Sequence, residues 1–195
     1  MELLLIYLVM GGMMVYALYL IFRGRNSGIV DPTLGFLIVG ENDLAALFEE
    51  DRAALGPLFA KIESGAGYQI PKYDVLFMYA DIKADGSFGL GADMTFRHVA
   101  ERAGATIAVV ASNNSPENIS TAARMPGPKR ANLVWTFDRK GTAFANFFKE
   151  LFAQMKNGKP MPRAWVAISP QHSSRLHSEL PETMCQMEAG QVRFR

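Results

Sequence analysis

The chain reads as an α/β protein, a mostly parallel sheet with helices on both faces, behind a single N-terminal transmembrane helix. Three observations predict this. Short, continuous apolar runs recur between residues 34 and 169, as the strands of a sheet buried on both sides do. Stretches with helical periodicity and cap residues lie between these runs, and strand–helix alternation is the signature of parallel pairing. Ahead of them, Leu3 to Phe22 (LLLIYLVMGGMMVYALYLIF) contains no charged residue.

That first run has the length of a membrane span. At 1.5 Å per residue, about 20 helical residues cross a hydrocarbon core of about 30 Å. Tyr16 and Tyr19 lie near the end that Arg23 and Arg25 follow, whereas only Glu2 precedes the run. Interfacial aromatics and the positive-inside rule then put the N-terminus outside and the remainder in the cytoplasm. The expected location is the inner (plasma) membrane, crossed once. A cleaved signal peptide would have a basic start, a shorter apolar stretch and a small-x-small cleavage site. Here the start is acidic and the stretch long. Gly11 and Gly12 form a mid-run notch against which a neighbouring helix can pack. The expected partners are therefore the lipid bilayer and a membrane-protein complex, of which a respiratory or photosynthetic assembly is one candidate.

Residues 1–25 are thus the anchor, 26–33 a linker, 34–170 the α/β domain and 171–195 a tail. LGFLIVG (34–40) predicts a strand ended by glycine. Asn42 or Asp43 is placed to cap a helix beginning LAALFEE, which Pro57 is expected to kink or split. SGAGYQIPK (64–72) reads as a loop. YDVLFMYA (73–80) predicts a strand, followed by a long loop. Asp93 then caps a helix that Gly104 closes. ATIAVVAS (105–112) predicts the next strand. Ser115 as N-cap and Pro116 at the first helical position open a helix ending about Arg124. ANLVWTF (131–137) is a strand and TAFANFFKELFAQMKNG (142–158) an amphipathic helix stopped by Gly158. AWVAIS (164–169) reads as a further strand. From Gln171 the periodicity is lost, and a tail is expected.

Composition excludes several functions. Lys and Arg number 20 against 19 Asp and Glu, so charge gives no push toward nucleic acid, and none is expected as a partner. The single cysteine, Cys185, rules out a disulfide within the chain. His172, His177 and Cys185 match no zinc spacing, and neither metal nor cofactor is expected. GSFGLG at 86–91 has neither the spacing nor the position of a dinucleotide fingerprint. His98 falls one turn into a predicted helix, where packing or exposure is the ordinary role. Asn118-Ile119-Ser120 spells a glycosylation sequon that a cytoplasmic domain would not use. Phe144, Phe147, Phe148, Leu151 and Phe152 are spaced as a buried helix face.

Ligands meet an open parallel sheet at the carboxyl ends of its strands. Two loops there carry polar groups. The first, 80–92, holds Asp81, Asp85 and several glycines, and loops of that length are functional or mobile. The second is Ser112-Asn113-Asn114-Ser115, ahead of a helix whose free N–H groups suit an anion. The candidate ligand-binding residues are Asp81, Ser112, Asn113, Asn114 and Ser115. A plain turn in the first loop and capping chemistry in the second stand beside this reading.

The layout is Rossmann-like, and from about Tyr73 to Pro170 the order of elements resembles the caspase-like fold, in particular bacterial CHAT-type domains. VLFMYAD stands where that family's strand and His-Gly element occur, and AVVASNN where the strand carrying the nucleophilic Cys ends. ANLVWTFDRKGTAFANFFKELFAQMKNGKPMP is similar to the strand, helix and connector that follow. The resemblance implies a protease fold, but Tyr79-Ala80-Asp81 holds no His and Ala111-Ser112-Asn113 no Cys. A thiol protease needs a thiolate made by a nearby base. The expectation is therefore a non-catalytic relative that scaffolds or binds. A hydrolase using the loops at 80–92 and 112–115, or a small-ligand sensor at the Ser115 helix, is the alternative.

Overall fold

The computed structural model describes residues 28–40, 44–91, 94–169 and 180–195. In chain order the elements are β1 (Gly28–Ile29), β2 (Thr33–Ile38), α1 (Ala45–Leu55), β3 (Lys61–Ala66), β4 (Val75–Tyr79), α2 (Phe96–Ala103), β5 (Ile107–Val110), α3 (Pro116–Arg124), β6 (Asn132–Asp138), α4 (Thr142–Lys156), α5 (Met161–Ile168), β7 (Glu182–Met187) and β8 (Arg193–Phe194). Six strands form one sheet in the order β3-β2-β4-β5-β6-β7. All neighbours pair in parallel except β7, which runs antiparallel to β6. β1 and β8 form a separate parallel pair.

The apolar runs are continuous because both faces of the sheet are covered. Phe36, Phe77, Tyr79, Val109 and Val134 point to one face, where α1, α4 and α5 supply Phe48, Phe148, Phe152 and Met161. Leu37, Met78, Val110, Leu133 and Trp135 point to the other, against Phe96 and Val99 of α2 and Ile119 and Ala122 of α3. The α4 stripe is the core face its spacing predicts: Phe144, Phe148 and Phe152 set their rings 6.1, 5.1 and 6.2 Å from Phe77. Burying each such ring contributes roughly 1.5–3 kcal/mol. Capping follows the sequence at α3, where the Ser115 hydroxyl accepts from Asn118 N at 3.2 Å and Pro116 opens the helix. Gly104 ends α2 at φ +69°, the left-handed conformation that favours glycine. Pro57, expected to kink or split the helical run, lies in the 3-10 turn Gly56–Leu58 that follows the end of α1 at Leu55.

Four expectations are corrected. Residues 61–66, read in part as a loop, are the edge strand β3. It is mostly exposed and polar, so it lacks the apolar signal of a strand while its charges guard the edge. The 164–168 run lies in helix α5, started by Pro160 and Pro162, and Ser169 is its C-cap; five apolar residues in a row do not distinguish strand from helix. The segment assigned to a tail contributes β7 and β8, and within the 26–33 linker β1 pairs with β8. Thr95, not Asp93, is the N-cap of α2, its hydroxyl accepting from His98 N at 3.4 Å.

Two buried side chains explain why the C-terminal segment is ordered. Asn132 accepts from Ala189 N at 2.9 Å and donates to Gly190 O at 3.0 Å, as a strand backbone would. Arg97, 5 % exposed, donates to both carboxylate oxygens of Glu188 at 2.7–3.2 Å and to the carbonyls of Ala123 and Met125. A polar, periodicity-free sequence is thereby tied to the core. Among the described residues no helix is long and apolar enough to cross a membrane. The apolar run at 3–22, with Gly11 and Gly12, lies outside them, as do the cap positions Asn42 and Asp43.

Candidate functional site

β4, β5 and β6 lie side by side and in parallel, so their carboxyl ends bring residues 79–82, 111–115 and 138–139 together. This is the edge where an open α/β sheet takes ligands, and the sequence pointed to it. The side chains there serve the backbone instead. Ser112 is 1 % exposed; its Oγ donates to Ala80 O and accepts from Ala80 N at 3.2 Å. The hydroxyl thus staples the end of β5 to the end of β4. Asn114 Oδ1 accepts from Ile82 N at 2.7 Å, and Asn118 donates to Ile82 O at 2.7 Å. Together they hold the 80–91 loop, whose Ile82, Phe88 and Leu90 are buried. Asn113 Oδ1 accepts from Arg139 N at 2.9 Å. Ser115 caps α3, and Asp81 is exposed.

Beneath these loops lies a cluster that sequence reasoning missed. Asp51 of α1 is fully buried, and Arg139, just past β6, is 3 % exposed. Arg139 binds Asp51 with two parallel bonds, Nη1 to Oδ2 at 3.0 Å and Nη2 to Oδ1 at 2.9 Å, the fork geometry arginine provides. Nη1 also donates to Ala111 O, and the guanidinium carbon sits 4.1 Å from the Phe144 ring centroid. Tyr79 Oη donates to Asp51 Oδ2 at 2.7 Å. Burial, and then the charge of Asp51, pushes the Tyr79 phenol well above its usual pKa, so it stays protonated. In the sequence, Asp51 is one acid of an EED run and Arg139 one of three consecutive charged residues. No periodicity links them.

The chemistry available here is limited. The Ser112 hydroxyl is committed, the Asp51 carboxylate is matched by Arg139, and the two residues suited to base and thiol roles stand elsewhere. His98 is on α2, with Nδ1 3.0 Å from the Thr95 hydroxyl. Cys185 lies on β7 opposite Val134, its thiol pushed up to about 12 by burial. Among the described residues no group of three metal-ligating side chains converges. Surface clefts of about 310, 250 and 240 Å³ are lined by other residues, the first by Phe147, Trp165 and Pro181 among them. No protein-family model matches the chain, and neither a curated protein nor a solved structure is significantly similar to it.

Proposed function

We propose that the protein is a membrane-anchored, non-catalytic accessory or scaffold subunit. Its α/β domain, a degenerate relative of the caspase-like fold, binds a partner of a membrane-protein complex at the cytoplasmic face. The observation that carries this reading is the Ser112 hydroxyl, spent on both backbone groups of Ala80. In the caspase-like layout these two strand ends bear the nucleophile and the His-Gly element. Here one position holds a buried structural serine and the other an alanine followed by an exposed aspartate. The apolar run at 3–22 and the arginines after it support the anchor and its orientation.

The test has two parts. Purified full-length protein is assayed for peptide and ester hydrolysis, with Ser112→Ala alongside. Ser112→Ala is expected to lose about 1–3 kcal/mol of stability, since it leaves buried backbone groups without partners, and to change no activity. Hydrolysis that Ser112→Ala abolishes would overturn the reading. Extraction in mild detergent should co-purify a defined membrane partner. Gly11→Leu with Gly12→Leu should keep the chain in the membrane but weaken that association, because the bulkier side chains fill the packing notch. Unchanged recovery would place recognition in the α/β domain alone.

A further inference from the structure

Strand direction segregates the charge of this domain. Where the parallel strands begin, basic residues gather. Lys61 opens β3, Lys72 precedes β4, Arg102 lies in the last turn of α2, and Lys156 closes α4. Arg195 lies against Gly28 of β1 and shares a cleft with Lys156, Ala60 and Asp31. Two acids at this edge are already engaged. Asp74 accepts from Thr33 N and Oγ1 at 3.0 and 2.7 Å, and Glu101 pairs with Arg130 at 3.3 Å. Where the strands end, the described residues Asp81, Asp85, Glu117, Asp138 and Glu182 outnumber Lys83 and Lys140. The formal net charge of +1 hides this polarity.

The chain's own connectivity says which edge meets the bilayer. β1 begins at Gly28, six residues beyond Phe22, the end of the apolar run. An extended chain spans about 3.5 Å per residue at most, so the two lie no more than roughly 20 Å apart. Val30, immediately after β1, is 68 % exposed. It follows the strand against which Arg195 lies and precedes the exposed Asp31. An exposed apolar side chain on an edge that also bears Lys61, Lys156 and Arg195 is the composition of a surface that rests in a lipid interface.

We propose that the strand-starting edge is a lipid-docking face, with Val30 at the acyl boundary and Lys61, Lys156 and Arg195 on anionic phospholipid headgroups. The inference rests on reading residues 3–22 as a membrane helix. It turns the acidic edge, with the loops at 80–91 and 112–115, away from the bilayer and toward a partner.

The experiment uses the full chain, reconstituted into vesicles of phosphatidylcholine with or without phosphatidylglycerol, in a Cys185→Ala background. An environment-sensitive fluorophore is placed by Val30→Cys or by Asp81→Cys, both exposed positions. Brominated lipids should quench the probe at position 30 at least about twofold more in anionic than in neutral vesicles, and high salt should reverse the gain. Lys156→Glu with Arg195→Glu should remove it without any change of lipid. The probe at position 81 should stay unquenched throughout. Resistance to carbonate extraction, scored separately, reports the anchor. A chain that resists extraction but shows no anionic-lipid dependence at position 30 sinks the docking face and spares the anchor. A chain that carbonate strips sinks the anchor; salt-sensitive quenching at position 30 in that chain would still support the face. Quenching at position 81 instead of 30 would overturn the proposed orientation.

Discussion

Removing Asp51 should be among the most damaging single changes in the domain. Asp51→Ala leaves the Arg139 guanidinium buried at 3 % exposure with its countercharge gone, and breaking one side of a buried pair costs about 3–5 kcal/mol. It also removes the acceptor of Tyr79 Oη, which sits at 2.7 Å. Tyr79→Phe removes only that bond to a charged group, a loss of about 1.5–3 kcal/mol. Arg139→Met should cost about as much as Asp51→Ala, since it strands a buried carboxylate. The double variant Asp51→Leu with Arg139→Met leaves no unpaired charge and should be less damaged than either single change. Denaturant unfolding can be followed through Trp135 and Trp165, the two tryptophans of the chain. A cycle in which the two single losses add to within about 0.5 kcal/mol of the double would refute the reasoning, because coupled neighbours do not add.

Two further outcomes follow from other parts of the fold. A methyl group at Gly65 would lie 1.9 Å from Gln69 O, so Gly65→Ala must open the return turn after β3. It should cost more than about 2 kcal/mol, whereas Gly67→Ala, at φ +55° in open space, should cost about 1–2 kcal/mol; equal losses would refute the close approach. The raised Cys185 pKa, from 9.0 to about 12, means that folding favours the protonated thiol. Its contribution is therefore fully present below pH 9 and is lost as pH rises toward 12. Cys185→Ala should flatten that alkaline decline in an unfolding series. The wild-type thiol should also react with maleimide far more slowly at pH 8 than a free cysteine does, because only the thiolate attacks.

The amino-acid sequence determined the α/β class and the central strands. β2, β4, β5 and β6 are buried on both faces, and such burial leaves an uninterrupted apolar run that needs no partner to be recognised. It also determined the caps at Ser115-Pro116 and Gly104, because capping is local: the hydrogen bonds join residues three or four apart. The edges of the fold were decided by tertiary structure. β3 is polar because most of it faces solvent, and β7 carries no clean alternation. The turn that follows it is held by Arg97 and Asn132, which reach Glu188 and Ala189 from 91 and 57 residues away. The site followed the same division. Sequence located the strand ends and the loops at 80–92 and 112–115. Only the packed structure showed that the Ser112 hydroxyl is turned inward onto Ala80, and that Asp51 meets Arg139 across 88 residues of chain. Local signals record what a residue does to its neighbours in sequence. A hydrogen bond or ion pair closed between distant segments leaves no trace there, because its partner is chosen by the sheet order that brings the two together.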